Sequence, residues 1–252
     1  MTSASTSIVP HLPTRLALAF NPRREARLAG AFYLAIIVLG LFGELAVRGT
    51  LVVPGDAAAT LARIAASPGL WRAGIVADLL MQVCDVPMIV IFYLLLRPVH
   101  HGMALFAALI NLVQTAVLVA NKISLLVPLM LIDGTVPFSD AQRAALSQAA
   151  IRLHGQGFAV GLVFFGFACL ANGWLIHRSG FLPRVLGLLQ AVAGLSYLVN
   201  SAALLLAPAL ADALFPWVLL PAFVGELALA LWLSFKGVDA ARWPHALVPA
   251  RG

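Results

Sequence analysis

The 252-residue chain is 62% hydrophobic and 10% charged, with a mean hydropathy of +0.99; soluble domains are typically about 45–50% apolar and about 25% charged. So much apolar surface excludes one soluble core and implies a polytopic membrane protein. The net charge of +6 sits on basic residues scattered singly at the ends of apolar runs, which argues against a nucleic-acid surface and suits helix orientation beside anionic lipid.

In chain order, residues 1–27 are Ser/Thr/Pro-rich and then basic, ending in RREAR. They read as a disordered cytoplasmic tail without a signal-peptide core. Six apolar runs follow at 28–47, 70–96, 102–132, 154–176, 184–206 and 213–236. Each is long enough for roughly 30 Å of hydrocarbon. The expected transmembrane domain is therefore 28–236, with 237–252 as a C-terminal tail.

Two connections resemble one another. GTLVVPGDAAATLARIAAS begins at Gly49 and GTVPFSDAQRAALSQAA at Gly134. In the first, Asp56 fits a helix N-cap; in the second, Ser139 and Gln142 fit a capping box. The fold class expected is an all-α integral membrane protein. Its six transmembrane helices form three antiparallel hairpins, with a short amphipathic helix in each of the first two outer loops. Ten basic residues fall on the side of the termini and five on the other, so the positive-inside rule places both termini in the cytoplasm.

The second run, GIVADLLMQVCDVPMIVIFYLLL from Gly74, carries two acids in an apolar setting. Asp78, Gln82 and Asp85 stand at i, i+4 and i+7 and share one face. Asp78 lies roughly 12 Å and Asp85 roughly 22 Å below the outer helix end. Asn121 and Lys122 on the third run, Tyr197 and Asn200 on the fifth and Glu226 on the sixth fall in the same slab. A charge at the midplane costs at least about 2.5–3.5 kcal/mol, so these residues should face one another or a watery interior. Lys122 is the expected partner of Asp78 or Asp85. Three carboxylates against one ammonium leave negative charge to be offset by a proton, a cation or an amine-containing ligand. Glu44 is expected to pair with Arg72 or Arg48, and His154 to stand with Glu44 and Arg72 at the outer mouth. Pro87 and Pro221 remove helix hydrogen bonds from the carbonyls of Val83 and Trp217 beside the acids.

Other motifs point to packing. Gly157 and Gly161 form a GxxxG, and Cys84 and Cys169 lie singly in apolar runs. His100, His101 and His177 lack further metal ligands, and nucleotide or hydrolase motifs are absent from the sequence. No cofactor and no metal site are expected.

RLAGAFYLAIIVLG, ELAVRGTLVVPGDAA, GIVADLLMQVCDV, GLVFFG, SGFLPRVLG and LPAFVGELALALWLSFKGV together resemble a bacterial membrane-protein family catalogued as domain of unknown function 4386. The resemblance runs from about Arg27 to Val238 in unbroken order. It implies a six-span inner-membrane protein and carries no activity or site residues with it. From the residues themselves, the leading function is a small-molecule or cation carrier or binder with an acidic site in the outer half of the bundle. The alternatives are an intramembrane enzyme on an apolar substrate, using Asp78, Asp85, His154 and Tyr197, and a non-catalytic accessory protein that meets other membrane proteins in the bilayer.

Overall fold

The computed structural model describes residues 20–134 and 137–244. Six helices are long and apolar enough to cross a membrane: Pro22–Leu51, Pro68–Leu96, His101–Ile132, Asp140–Ser179, Arg184–Leu206 and Trp217–Phe235. Their side chains are sorted for lipid. On the second span Val83 is 66% exposed while Asp78 is fully buried and Asp85 is 6% exposed. Apolar groups outside and polar groups inside is the pattern of a helix bundle in hydrocarbon. This is an integral membrane protein.

Each span packs on its sequence neighbours, and the sixth closes on the first, so the helices form one ring. Small residues permit the close approaches. An added Cβ on Gly173, Gly187, Gly194 or Gly225 would strike the backbone of the facing helix, as at tightly packed membrane interfaces. Gly157 and Gly161 behave as expected of packing residues: the side chains of Asn121 and Leu118 lie against them.

Two apolar cores bracket a polar layer. At the terminal end, Tyr33, Met88, Leu96, Ile176, Leu229 and Leu233 pack with Phe181, Val238 and Trp243. At the opposite, long-loop end, Val47, Leu51, Ile64, Trp71, Leu125 and Leu129 form the second core. Between them, Asp78, Gln82 and Asp85 on the second span face Asn111, Gln114, Thr115 and Lys122 on the third, all buried.

Several boundaries differ from the sequence expectations. The first helix starts at Pro22, capped by the Asn21 side chain, so 22–27 belong to the bundle rather than to a disordered tail; residues 1–19 lie outside the described part. Residues 237–244 are also packed, with Trp243 donating from Nε1 to the Leu95 carbonyl at 3.0 Å. The surface helix of the first loop exists as Ala57–Ala66, with Asp56 as its cap. The separate surface helix expected in the second loop does not. The predicted capping box of Ser139 and Gln142 instead opens one continuous helix, Asp140–Ser179. Its 40 residues extend about 60 Å, far beyond the hydrocarbon, and its first turns pack on Ala57–Ala66.

Pro221 also differs from expectation. It stands in the first turn of Leu220–Phe235, where a missing N–H costs no helix hydrogen bond, and the Trp217 carbonyl accepts from the Leu220 N–H. Pro87 does lie within its helix. The marked irregularities are elsewhere. The first span widens into a π-helical stretch over Phe42–Arg48, and the third tightens into a 3-10 stretch over Lys122–Leu126. Pro128, two residues into the following helix, cannot donate to the Ser124 carbonyl, which explains the second break.

Candidate functional site

The two aspartates of the second span enter different chemical settings. Asp78 sits at the level of both irregular stretches. Arg48, at the end of the π-helical turn, donates to it twice, Nη1 to Oδ2 at 2.7 Å and Nη2 to Oδ1 at 3.3 Å. Lys122, at the start of the 3-10 turn, places Nζ 3.0 Å from the same Oδ2. Arg48 also reaches Glu44 one turn back, at 2.7 Å. Two cations thus meet two carboxylates, and the cluster is neutral. Glu44 is the exposed member, and the Asp78 and Lys122 side chains are 1% and 3% exposed. Gly43 makes room for the clamp: a Cβ there would lie 2.5 Å from Asp78 Oδ1.

Beside this clamp, Asn121 Nδ2 donates to the His154 carbonyl at 2.8 Å and approaches its Nδ1 at 3.0 Å. Lys122 lies 5.9 Å above the Phe158 ring. His154 is buried and joins the third span to the fourth. The indole of Trp71 donates to the Leu125 carbonyl at 2.8 Å, satisfying a backbone acceptor inside the 3-10 stretch.

Asp85 lies two helical turns further from the long loops. Its Oδ2 meets the Thr115 hydroxyl, which also lies 3.0 Å from the Asn111 carbonyl and 3.5 Å from Gln114 Oε1. No cation reaches Asp85 among the described residues. Glu226 on the sixth span lies in the same inner region as Tyr33, Cys169, Tyr197 and Asp85. Tyr197 lies beside Glu226, and its ring packs on Phe165 at 5.2 Å. Gln190 donates to Cys169 Sγ at 3.2 Å and to the Tyr33 hydroxyl at 3.5 Å.

The oxygens of this inner region are short of donors. Gln82 Oε1, Asn111 Oδ1, Gln190 Oε1, Ser201 Oγ and Glu226 Oε1 are buried without a hydrogen-bond partner. Buried polar groups are usually paired, so the unpaired oxygens of Gln82, Asn111, Gln190 and Glu226 leave acceptors open in the bundle interior. A cavity of about 20 Å³ begins one turn beyond Asp85, lined by Tyr33, Met88, Phe92, Asn111, Cys169 and Gln190 among others. It is large enough for one water-sized guest.

The structure therefore divides the expected single slab. Asp78, Lys122, Asn121, His154 and Glu44 belong to the clamp, and Asp85, Tyr197 and Glu226 to the inner region. Gln82 faces inward between the two levels, and Asn200, also buried, stands one turn from Tyr197. Arg72 is exposed and does not join the clamp; Arg48 takes Glu44 instead. The expected count of three acids against one lysine changes accordingly, because Arg48 enters the bundle. His100 caps the third span through Nδ1, His101 approaches the Tyr93 hydroxyl at 3.0 Å, and His177 faces the Arg184 carbonyl at 3.4 Å. Sequence reading missed Thr115, Asn111, Gln114 and Gln190. The first three were findable, since Asn111, Gln114, Thr115, Leu118 and Lys122 follow one helical face.

A family model described as domain of unknown function (DUF4386) matches residues 28–237. The chain belongs to this family. The DUF4386 chain is also similar to an uncharacterized protein of Archaeoglobus fulgidus, 25% identical over 163 residues, which cover 65% of this chain and 83% of the relative. No solved structure matches.

Proposed function

We propose that this DUF4386 protein binds and carries a small cation through the bundle, with Asp85 and Glu226 as the charged seat and Gln82, Tyr197 and the unpaired amide oxygens around it. One observation carries the reading: two carboxyls in the bundle interior have no cation among the described residues, while the neighbouring clamp is internally neutral. A site made of acceptors attracts a cation or a hydrogen-bond donor, and ionisable groups inside membrane spans commonly mark ion pathways. Asp78, Arg48, Lys122, Asn121 and His154 form the closure at the long-loop end, with Asn200 beside Tyr197. The basic residues on the side of the termini support a cytoplasmic membrane with both termini inside.

Thermal unfolding of the purified protein in detergent tests this. Sodium, potassium, ammonium, ethylamine and choline would be titrated against the wild type and Asp85→Asn. A cation at one hundred times its Kd stabilises by about 2.7 kcal/mol, read as a rise of several degrees that Asp85→Asn abolishes. A flat wild-type response to the whole panel refutes the reading. A responding ion then goes into flux measurements in proteoliposomes.

A further inference from the structure

We propose that the end of the bundle on the side of the termini holds the phosphate headgroup of an anionic phospholipid. Its seat is a cleft lined by Asn21, Arg23, Arg24 and Arg27, where the first span meets the last. The site is separate from the acidic interior and independent of the carrier reading.

Two spans build the cleft. The Asn21 side chain accepts from the Arg24 N–H at 3.2 Å, which fixes the turn that carries the arginines. Arg27 Nη2 donates to the Phe235 carbonyl at 3.3 Å, joining that turn to the last turn of the sixth span. Gly237, with a φ of 70°, then takes the chain closely past. A Cβ there would lie 3.2 Å from the Arg23 carbonyl oxygen, and 3.3 and 3.6 Å from the Cγ atoms of Arg23 and Arg27. The arginine stems therefore rest on fixed backbone, and the three residues border a cleft of about 220 Å³. Pockets for drug-sized molecules begin at about 300 Å³; this one suits a headgroup.

The arginines are not neutralised by their neighbours. Arg23 and Arg24 are the second and third residues of Pro22–Leu41, where the helix dipole disfavours a cation. Arg23 and Arg27 form a like-charged pair at i, i+4, and exposed Lys236 stands between Phe235 and Gly237. The acids of these two helix ends are Glu25 and Asp239, and Asp239 is taken by Arg242 at 3.2 Å. None of the three arginines has an ion-pair partner among the described residues. Residues 1–19 and 245–252 contain no Asp or Glu, so they bring no acidic side chain to the cleft. A phosphodiester supplies the missing negative charge, and guanidinium groups match its oxygens in a fork geometry.

The apolar rim favours a lipid over a soluble anion. Leu28, next to Arg27, is exposed, and so are Phe235, whose carbonyl Arg27 holds, and Leu231 one turn further along the sixth span. These side chains belong to the hydrocarbon-facing surface, so a phosphate in the cleft has acyl-chain contacts directly beside it. Basic pockets at the ends of membrane helices hold anionic headgroups in this way.

Native mass spectrometry of the delipidated protein in detergent tests the site. Dioleoyl phosphatidylglycerol and dioleoyl phosphatidylcholine share their chains and differ in net charge. The wild type should retain phosphatidylglycerol in preference to phosphatidylcholine, and the preference should fade at rising ammonium acetate as the charges are screened. Arg23→Gln/Arg24→Gln should weaken phosphatidylglycerol binding about thirtyfold, the effect of removing two basic side chains at a bilayer surface. Arg23→Lys/Arg24→Lys should keep most of it. Arg178→Gln/Arg184→Gln removes two exposed cations of the same end that do not line the cleft, and should bind as the wild type does. Equal retention of the two lipids by the wild type, or a preference that ignores salt, overturns the proposal without any variant. So does wild-type affinity in Arg23→Gln/Arg24→Gln, or an equal loss in Arg178→Gln/Arg184→Gln, which would make the whole basic end the attractor. Displacement of the lipid by an equal concentration of glycerol phosphate also overturns it, marking a site for a soluble anion.

Discussion

Asp78→Asn preserves the shape of the side chain and removes the negative charge between Arg48 and Lys122. At about 3 Å and an effective dielectric of about 20, each contact is worth roughly 5 kcal/mol of Coulomb attraction before desolvation is subtracted. Breaking a buried pair by removing one partner costs about 3–5 kcal/mol, because the other charge stays buried and unmatched. The loss falls unevenly here. Arg48 keeps Glu44 at 2.7 Å, whereas Asp78 is the ion-pair partner of Lys122 and the Phe158 ring, 5.9 Å away, is a weak substitute. Asp78→Asn should therefore lose about 3–5 kcal/mol, and adding Lys122→Met should recover most of it. SDS-induced unfolding in mixed micelles, followed by tryptophan fluorescence and circular dichroism, measures both variants against the wild type. A single variant within about 1 kcal/mol of the wild type, the range of exposed pairs, refutes the buried clamp. So does a double variant less stable than the single.

Gly43→Ala tests the room made for the clamp. Alanine normally favours a helix over glycine by about 0.5–1 kcal/mol, but here the Cβ would meet Asp78 Oδ1 at 2.5 Å and Arg48 Nη2 at 3.1 Å. The expected sign is a loss of about 1–3 kcal/mol, as for overpacking; an unfolding titration showing a gain contradicts the geometry. Trp71→Phe should leave the Leu125 carbonyl without its indole donor, costing about 1–3 kcal/mol and speeding amide exchange over Lys122–Leu126. Unchanged exchange there would mean that the 3-10 stretch does not depend on this bond. Trp243→Ala should cost about 3–5 kcal/mol, since the indole is buried against Phe20 at 5.4 Å and bonds to Leu95. A wild-type melting temperature would show that 237–244 contributes little to the bundle.

Local chemistry was the most legible part of this sequence. The caps at Asp56 and Ser139 depend on three or four neighbouring residues and could be read without the fold. The spans were legible because hydrocarbon imposes length and polarity together. Depth counting also brought Lys122 to the level of Asp78. Arg48 escaped that reading because it ends an apolar run and was counted with the loop; the π-helical stretch carries the helix on to Leu51 and turns Arg48 inward. The long fourth helix escaped because no glycine or proline separates Asp140 from His154, so nothing local marks where helix leaves the membrane. Thr115, Asn111 and Gln114 went unread since neutral polar residues create no charge imbalance to explain.

The seven-residue spacing of Asp78 and Asp85 places both on one face, yet spacing alone could not assign them different chemistry. That difference comes from neighbouring helices. The two cations arrive only where spans one and three depart from regular α-helix, and both departures occur at the level of Asp78. At the level of Asp85 the third span is regular, and it offers a hydroxyl and amides instead of a charge. A straight first span would direct Arg48 elsewhere and leave Asp78 with Lys122 as its cation partner. The irregular turns therefore do two things at once: they neutralise one aspartate, tying three helices together at the long-loop end, and they leave the other without a cation partner, one turn from the cavity.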